Sequence, residues 1–286
     1  MRYLYYPGCS LKGLNKSYED SMIAVFRTLG VELEELEDWN CCGATAYMSI
    51  DEMKAFALAS RNLALAERQN GNKSVMVTPC SGCYLVLSKT QRYYSEYDEV
   101  KEVIDKALES IGLNYSGSVR IKHPLDVIVN DIGLPTVMEK VRKPLFGLKI
   151  IPYYGCQIVR PYAVFDDAED PTSLDKLIWS IGGKVIDWPL KTRCCGGSLI
   201  GTFEEIGVSL SFILLKEAKK RGADVIATVC PLCQFNLECY QREMEKKFNE
   251  KLGIPVLFFT QLLGLAFGLS EKELGLNKMF SQMKLL

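Results

Sequence analysis

The chain predicts an α/β fold built twice: two homologous halves related by pseudo-twofold symmetry, each a parallel sheet flanked by helices. Three observations predict it. Ten of the eleven cysteines fall into two copies of one pattern. The segments around those cysteines repeat in sequence. Short apolar runs alternate with longer segments of helical period through both halves, the order that gives parallel strands joined by crossover helices.

The first cysteine set is Cys9, the adjacent pair Cys41-Cys42, then Cys80 and Cys83 in a C-x-x-C. The second is Cys156, Cys194-Cys195, then Cys230 and Cys233. Between lone cysteine and pair lie 31 and 37 residues; between pair and C-x-x-C lie 37 and 34. Flanking sequence repeats too. Arg2–Cys9 matches Ile150–Cys156 in its Tyr-Tyr and Gly-Cys, Trp39–Gly43 matches Thr192–Gly196, and Ser74–Cys80 matches Asp224–Cys230. A repeat of about 147 residues is domain-sized, so the division expected is 1–140 and 148–286.

In the first half, strands are expected over Arg2–Tyr6, Val31–Leu36, Ser74–Val77 and Val119–Lys122. Helices are expected over Ser17–Leu29, Met53–Gln69, Cys83–Ser110 and Pro124–Asp131. In the second half the strands are Lys149–Tyr153, Lys184–Asp187, Val225–Thr228 and Val256–Phe259. The helices there are Thr172–Ile181, Phe203–Arg221, Gln234–Lys247 and Gln261–Gly268. Pro135, Pro144 and Gly147 mark the join, Leu134–Lys149. Each cysteine group then follows a strand's C-terminal end, the edge where open α/β sheets gather ligands. Gly8, Gly43, Gly82, Gly155, Gly196 and Gly197 beside them permit tight turns and close backbone approach to a bulky centre.

Bulk numbers bound the partners. At 286 residues with 48% apolar composition the chain has enough material for two cores. A formal charge of −1 offers no basic excess for nucleic acid or an anionic membrane. Met1-Arg2 runs into Tyr3–Cys9 with no room for a signal core. The greasiest stretch, Val256–Leu269, is interrupted by Thr260 and Gln261 and falls short of the roughly 20 apolar residues a membrane span needs. A cytoplasmic protein without direct membrane insertion is expected, and in a reducing compartment dense cysteines mean metal or redox work more often than disulfides.

Each single explanation of the cysteines can be weighed. One C-x-x-C opening a helix after a strand fits a thioredoxin-like dithiol, but leaves the vicinal pair and the second copy unused. Structural zinc takes four ligands, which five cysteines with an adjacent pair fit badly. Iron–sulfur chemistry accounts for both sets. Four thiolates suffice for a cubane cluster, so a fifth beside another ligand asks for a geometry that departs from the cube.

At this point the sequence resembles a known family. Two copies of a lone cysteine, a Cys-Cys-Gly and a C-x-x-C run from Met1 to about Gly268 with no ferredoxin module. They are similar to the HdrB subunit of heterodisulfide reductase, with its duplicated cysteine-rich CCG domain. The resemblance implies two non-cubane [4Fe-4S] clusters facing one another, with a disulfide cleaved or formed between them. Carried over, the first cluster takes Cys9, Cys41, Cys42, Cys80 and Cys83; the second takes Cys156, Cys194, Cys195, Cys230 and Cys233. Electrons would come through a ferredoxin-like subunit, HdrC, from a flavoprotein subunit, HdrA. Methanogen members commonly carry Pro after the first pair. Here Cys41-Cys42-Gly43-Ala44-Thr45 is closer to bacterial versions, including the sulfur-oxidising heterodisulfide-reductase-like complex. The expected substrate widens accordingly to another disulfide, a persulfide or trisulfide, or a lipoyl-bound sulfur carrier. The alternatives are an electron-relay subunit of a quinone- or dehydrogenase-linked complex, and a zinc-binding assembly protein.

Other residues carry smaller expectations. Cys239, matched by Lys89 in the first half, reads as a small buried hydrophobe. His123, the one histidine, should cap or pack, with a hydrogen bond toward the cysteines as the alternative. Arg160 and Arg193 stand close to Cys156 and Cys194 and either neutralise an anion or bridge at the surface. Trp39 and Tyr154 read as lid or packing residues, Glu243–Lys251 as a solvated face, and the tail Ser270–Leu286 as a segment for docking a partner.

Overall fold

The computed structural model describes residues 1–45, 47–71 and 74–279. The first half holds strands β1 (Arg2–Tyr5), β2 (Glu32–Glu35), β3 (Val75–Val77) and β4 (Arg120–Lys122), paired in the order β2-β1-β3-β4. The second holds β5 (Lys149–Tyr153), β6 (Lys184–Val185), β7 (Val225–Thr228) and β8 (Val256–Phe258), in the order β6-β5-β7-β8. Every pairing is parallel. Because the chain leaves β1 first to one side and then to the other, the strand order reverses beside β1, and likewise beside β5.

Strand periodicity explains how the halves join. Successive side chains point to opposite faces. Leu4 and Met76 face a core of the first half with Phe56, Leu63 and Leu87. Ile151 and Ile226 face a core of the second half with Trp188, Val208 and Leu215. Their neighbours Tyr3, Tyr5, Val77, Ile150, Val225 and Ala227 enter one shared core. The helices Lys16–Thr28, Ser173–Ser180 and Phe259–Ala266 fill that shared layer with Phe26, Ile178 and Leu262. Tyr18 stacks on Phe258 with ring centroids 4.1 Å apart, and its hydroxyl donates to the Val229 carbonyl at 3.2 Å.

Three helix expectations need correction. Cys83–Ser110 is two helices, Ser81–Glu96 and Asp98–Glu109, broken at Tyr97 in an extended conformation (φ −131°, ψ 110°). Asp98 and Glu99 then open the second helix, where acidic side chains meet the positive end of the dipole. Gln234–Lys247 also splits, at Tyr240 (φ −95°, ψ 5°), into Pro231–Cys239 and Gln241–Phe248. Beyond Pro124–Asp126 a π-helical stretch, Val127–Gly133, leads into the helix Leu134–Lys140, so the connection between halves begins only after Lys140. The described part of the tail folds back on its own chain: Leu274 is fully buried beside Gly264, and Lys278 pairs with Asp20 at 2.6 Å. Residues 280–286 of the expected partner-docking tail lie outside the described residues.

Candidate functional site

Three local devices in each half deliver the cysteines to the strand-reversal edge. Cys9 lies on a single turn, Gly8–Lys12, directly after β1, and Cys156 follows β5. The vicinal pairs sit in the loops after β2 and β6. Cys80 and Cys230 are N-cap residues of the helices Ser81–Glu96 and Pro231–Cys239, which places Cys83 and Cys233 on the same face of the first turn. A helix N-terminus favours the thiolate over the thiol.

All ten sequence-singled cysteines line one continuous cavity of about 250 Å³ between the halves. The two nests match in detail. Cys42, Cys80 and Cys83 are buried, as are Cys195, Cys230 and Cys233, while Cys9, Cys41 and Cys194 are exposed and Cys156 is half-buried. Cys42 and Cys83 sulfurs are 3.0 Å apart, Cys195 and Cys233 3.4 Å. Across the halves, Cys80 and Cys230 line the same cavity. The remaining walls are small or neutral, among them Ser10, Ala44, Ser81, Gln157 and Leu199.

Matched residues hold the cysteine loops. Tyr6 donates to the Asn40 carbonyl at 2.8 Å, and Tyr153 to the Arg193 carbonyl at 2.7 Å; each carbonyl belongs to the residue before a vicinal pair. Asn62 clasps Asn40 through both its backbone N–H (2.9 Å) and its carbonyl (3.0 Å). Ser211 donates to the Cys195 carbonyl at 2.7 Å, and Asn236 to the Gly197 carbonyl at 2.9 Å. These roles were not read from sequence. The available signals were the repeated Tyr-Tyr before each Gly-Cys, and a polar Asn62 between apolar Ala59 and Leu63 on one helix.

The crowded thiols share charge unequally. Hydrogen bonds from Cys42 and Cys9 hold Cys41 far below the ordinary thiol value. Cys194 falls to about 6, first because Cys156 donates to it, with burial opposing and the Gly196 N–H and Arg160 assisting. Cys9 and Cys156 are correspondingly raised, first by those bonds and then by burial. Arg160 donates to the Thr192 carbonyl, so it acts on the nest while anchored beside it. Arg193 is exposed and joins no ion pair among the described residues. Tyr154 lines the cavity, fully buried, with its hydroxyl on Asp175 at 2.7 Å, and Trp39 packs edge-on against Tyr6 at 5.7 Å; both are packing residues. Burial pushes the Cys239 thiol up to about 12, in keeping with an inert side chain. His123 is fully buried and held down at about 4 by that burial. It reaches the carbonyls next to Cys80 and Cys230.

The donor set suits a multinuclear, thiolate-bound centre. Ten sulfurs ring one cavity, more thiolates than a single ion takes. Gly8 (φ +66°) and Gly155 (φ +70°) pack directly against cysteine sulfurs. A Cβ on Gly8 would lie 3.2 Å from the Cys83 sulfur, and one on Gly155 3.0 Å from the Cys233 sulfur. Backbone N–H groups of Gly196 and Gly197 point at the Cys194 and Cys195 sulfurs, at 3.3 and 3.4 Å, as second partners that steady a ligating thiolate.

A duplicated parallel α/β fold with a five-cysteine nest at each strand reversal defines an iron–sulfur oxidoreductase subunit. The chain belongs to the CCG family, described as "Cysteine-rich domain", which matches residues 3–88 and 150–238. It is 33% identical over 278 residues to the 8-methylmenaquinol:fumarate reductase membrane anchor subunit of Wolinella succinogenes, covering 96% of this chain and 95% of that one. It is 29% identical to the HdrB subunit of ferredoxin:CoB-CoM heterodisulfide reductase from Methanosarcina mazei, covering 95% and 91%. It is also 29% identical to an HdrB-like heterodisulfide reductase protein of Archaeoglobus profundus, covering 96% and 93%. A crystal structure of a hypothetical protein from Helicobacter pylori shares the fold with TM-score 0.81 at 15% identity; it spans all of this chain, which covers 53% of that one. No helix among the described residues is long and apolar enough to cross a membrane.

Proposed function

We propose that the chain is the catalytic iron–sulfur subunit of a heterodisulfide reductase-type complex, cleaving or forming a sulfur–sulfur bond in the shared cavity. The repeat units are 1–140 and 148–286. Cys9, Cys41, Cys42, Cys80 and Cys83 ligate one non-cubane [4Fe-4S] cluster, and Cys156, Cys194, Cys195, Cys230 and Cys233 the other. The observation that carries this reading is the single cavity lined by all ten cysteines. A simple relay needs two centres near each other but no common open chamber.

Bound clusters supply one-electron redox capacity, and two together match the two electrons of RSSR + 2e⁻ + 2H⁺ → 2RSH. The protein's own residues prepare the chamber. The thiolates would anchor the metal, Gly8 and Gly155 leave room for the Cys83 and Cys233 sulfurs, and Tyr6 and Tyr153 fix the vicinal pairs. Leu199, Leu232 and Ala44 give the cavity an apolar wall that limits water beside the reacting sulfurs. Electrons enter from the flavoprotein HdrA by way of the ferredoxin-like HdrC. The substrate is a disulfide or a sulfur carrier, lipoyl-bound carriers included. A dense cysteine pattern put to metal use accords with the reducing cytoplasm as its compartment.

A second reading is favoured by the Wolinella relative, whose name couples it to menaquinol and fumarate: an electron-relay subunit of a quinol-linked reductase. Adding an organic disulfide to the anaerobic, iron-loaded chain, pre-reduced with two electron equivalents, separates the two. A new paramagnetic signal with thiol release supports sulfur–sulfur chemistry. An unchanged spectrum, with reoxidation by a menaquinone analogue through a partner, supports the relay.

A further inference from the structure

We propose that His123 is a positioning residue that sets the separation of Cys80 and Cys230, and through them of the two cysteine nests. The proposal rests on reading those nests as paired iron–sulfur sites. His123 ends the segment after β4 and is fully buried between the halves. Its Nδ1 accepts the Leu125 backbone N–H at 3.2 Å, so that nitrogen carries no proton and Nε2 bears the ring N–H. Nε2 lies 3.0 Å from the Pro79 carbonyl and 3.2 Å from the Val229 carbonyl. One donor is therefore shared between two acceptors, one from each half.

Those acceptors are matched residues of the repeat. Pro79 immediately precedes Cys80 and Val229 immediately precedes Cys230, and each cysteine N-caps its helix. The near-equal distances put the donor close to the pseudo-twofold axis, where a single group can serve both loops. Cys80 and Cys230 line the same cavity, so the ring ties together one cysteine loop from each nest. Tyr84 meets the imidazole edge-on at 6.0 Å between centroids, and Phe259 lies at 6.5 Å, so the ring has little freedom to turn. The repeat does not duplicate this device. The matched position is Phe258, which also N-caps the helix after its strand but stacks on Tyr18 and has no side-chain N–H to share. Without the N–H, the Pro79 carbonyl loses its imidazole donor and the Val229 carbonyl keeps only the Tyr18 hydroxyl, so the one group bonded to both loops is gone.

The test compares wild type, His123→Phe, which keeps a ring and deletes both nitrogens, and His123→Gln, which returns an amide N–H. In the metal-free, reduced full-length chain, dibromobimane bridges thiols that lie close together, and peptide mass spectrometry identifies the bridged pair. The expected result is that Cys80–Cys230 bridging falls about tenfold in His123→Phe, as loss of a buried donor's hydrogen bonds allows, and returns in His123→Gln. In the iron-loaded chain, His123→Phe is expected to keep the wild-type iron content but to weaken the magnetic interaction between the two centres. The proposal is overturned if bridging in His123→Phe stays at the wild-type level. It is equally overturned if both variants lose bridging in step with their melting temperatures, which is what a packing role alone produces. Bridging that follows the prediction in a wild-type chain that takes up no iron supports the positioning role and removes the paired-cluster reading.

Discussion

Replacing Gly196 by Ala should damage the second nest more than replacing Gly43 damages the first, although both follow a vicinal cysteine pair. Gly196 has φ +99°, a conformation that strains an L-residue by about 1–3 kcal/mol. Its added Cβ would sit 2.8 Å from the Gly207 Cα and 3.0 Å from the Gly207 carbonyl oxygen, both backbone atoms of the helix Glu204–Lys220. Overpacking of that kind adds about 1–3 kcal/mol because no side chain can swing away. The total, roughly 2–6 kcal/mol, is a large share of the 5–15 kcal/mol typical of a folded domain. Gly43 has φ +82° and bears similar strain, but its Cβ would meet the Ala55 Cα at a milder 3.3 Å. Urea unfolding of the metal-free variants measures the difference, and iron content per chain reports whether the affected nest still loads. Gly196→Ala within about 1 kcal/mol of wild type, or equal to Gly43→Ala, would refute the claim that the second loop is pinned backbone-to-backbone on its helix.

Tyr6→Phe and Tyr153→Phe each delete the hydroxyl that holds the carbonyl before a vicinal pair, so each should cost about 0.5–1.5 kcal/mol and lower iron retention in its own half, checked by denaturation and by metal analysis after gel filtration. Asn62→Ala removes both bonds that Asn62 makes to the Asn40 backbone, leaving Tyr6 on its carbonyl, and should selectively weaken the first nest by about 1–3 kcal/mol, read as loss of one cluster's spectrum with the other retained. Glu19 is buried, which raises its carboxyl, but bonds from Lys12 and Lys16 win and leave it below the ordinary value. Its contribution is therefore present above the pKa of an unfolded glutamate and is lost as pH falls through the lowered folded value. The stability gap between wild type and Glu19→Gln should accordingly be widest at neutral pH and close in acid, as thermal melts across pH will show.

Most of this architecture was legible because the repeat supplied two independent readings of every element. β5 and β7 fall where Lys149–Tyr153 and Val225–Thr228 were expected, since both are short apolar runs with turns at each end. The helix Ser81–Glu96 was expected to continue past Tyr97. Its periodicity carries on into Asp98–Glu109, and only the backbone reveals that Tyr97 changes direction. The ten cysteines were legible because nothing but shared chemistry explains two vicinal pairs at matched spacing. The supports were not. Asn62 and Ser211 are ordinary polar residues whose bonds reach across 22 and 16 positions, and such partners follow from packing that sequence spacing does not encode. His123 is the clearest case. Its place before Pro124 predicts a cap, which it is, but the second nitrogen's reach to both halves appears only once the two sheets are set back to back.

The most direct test of the account is anaerobic metal and sulfide analysis of the whole chain beside Cys42→Ala and Cys195→Ala. The account predicts about eight irons and eight acid-labile sulfides in wild type, one four-iron cluster per nest, and about half of each in either variant, with complementary spectra remaining. About two zinc ions per chain with no sulfide, or an iron content that neither substitution reduces, would contradict it.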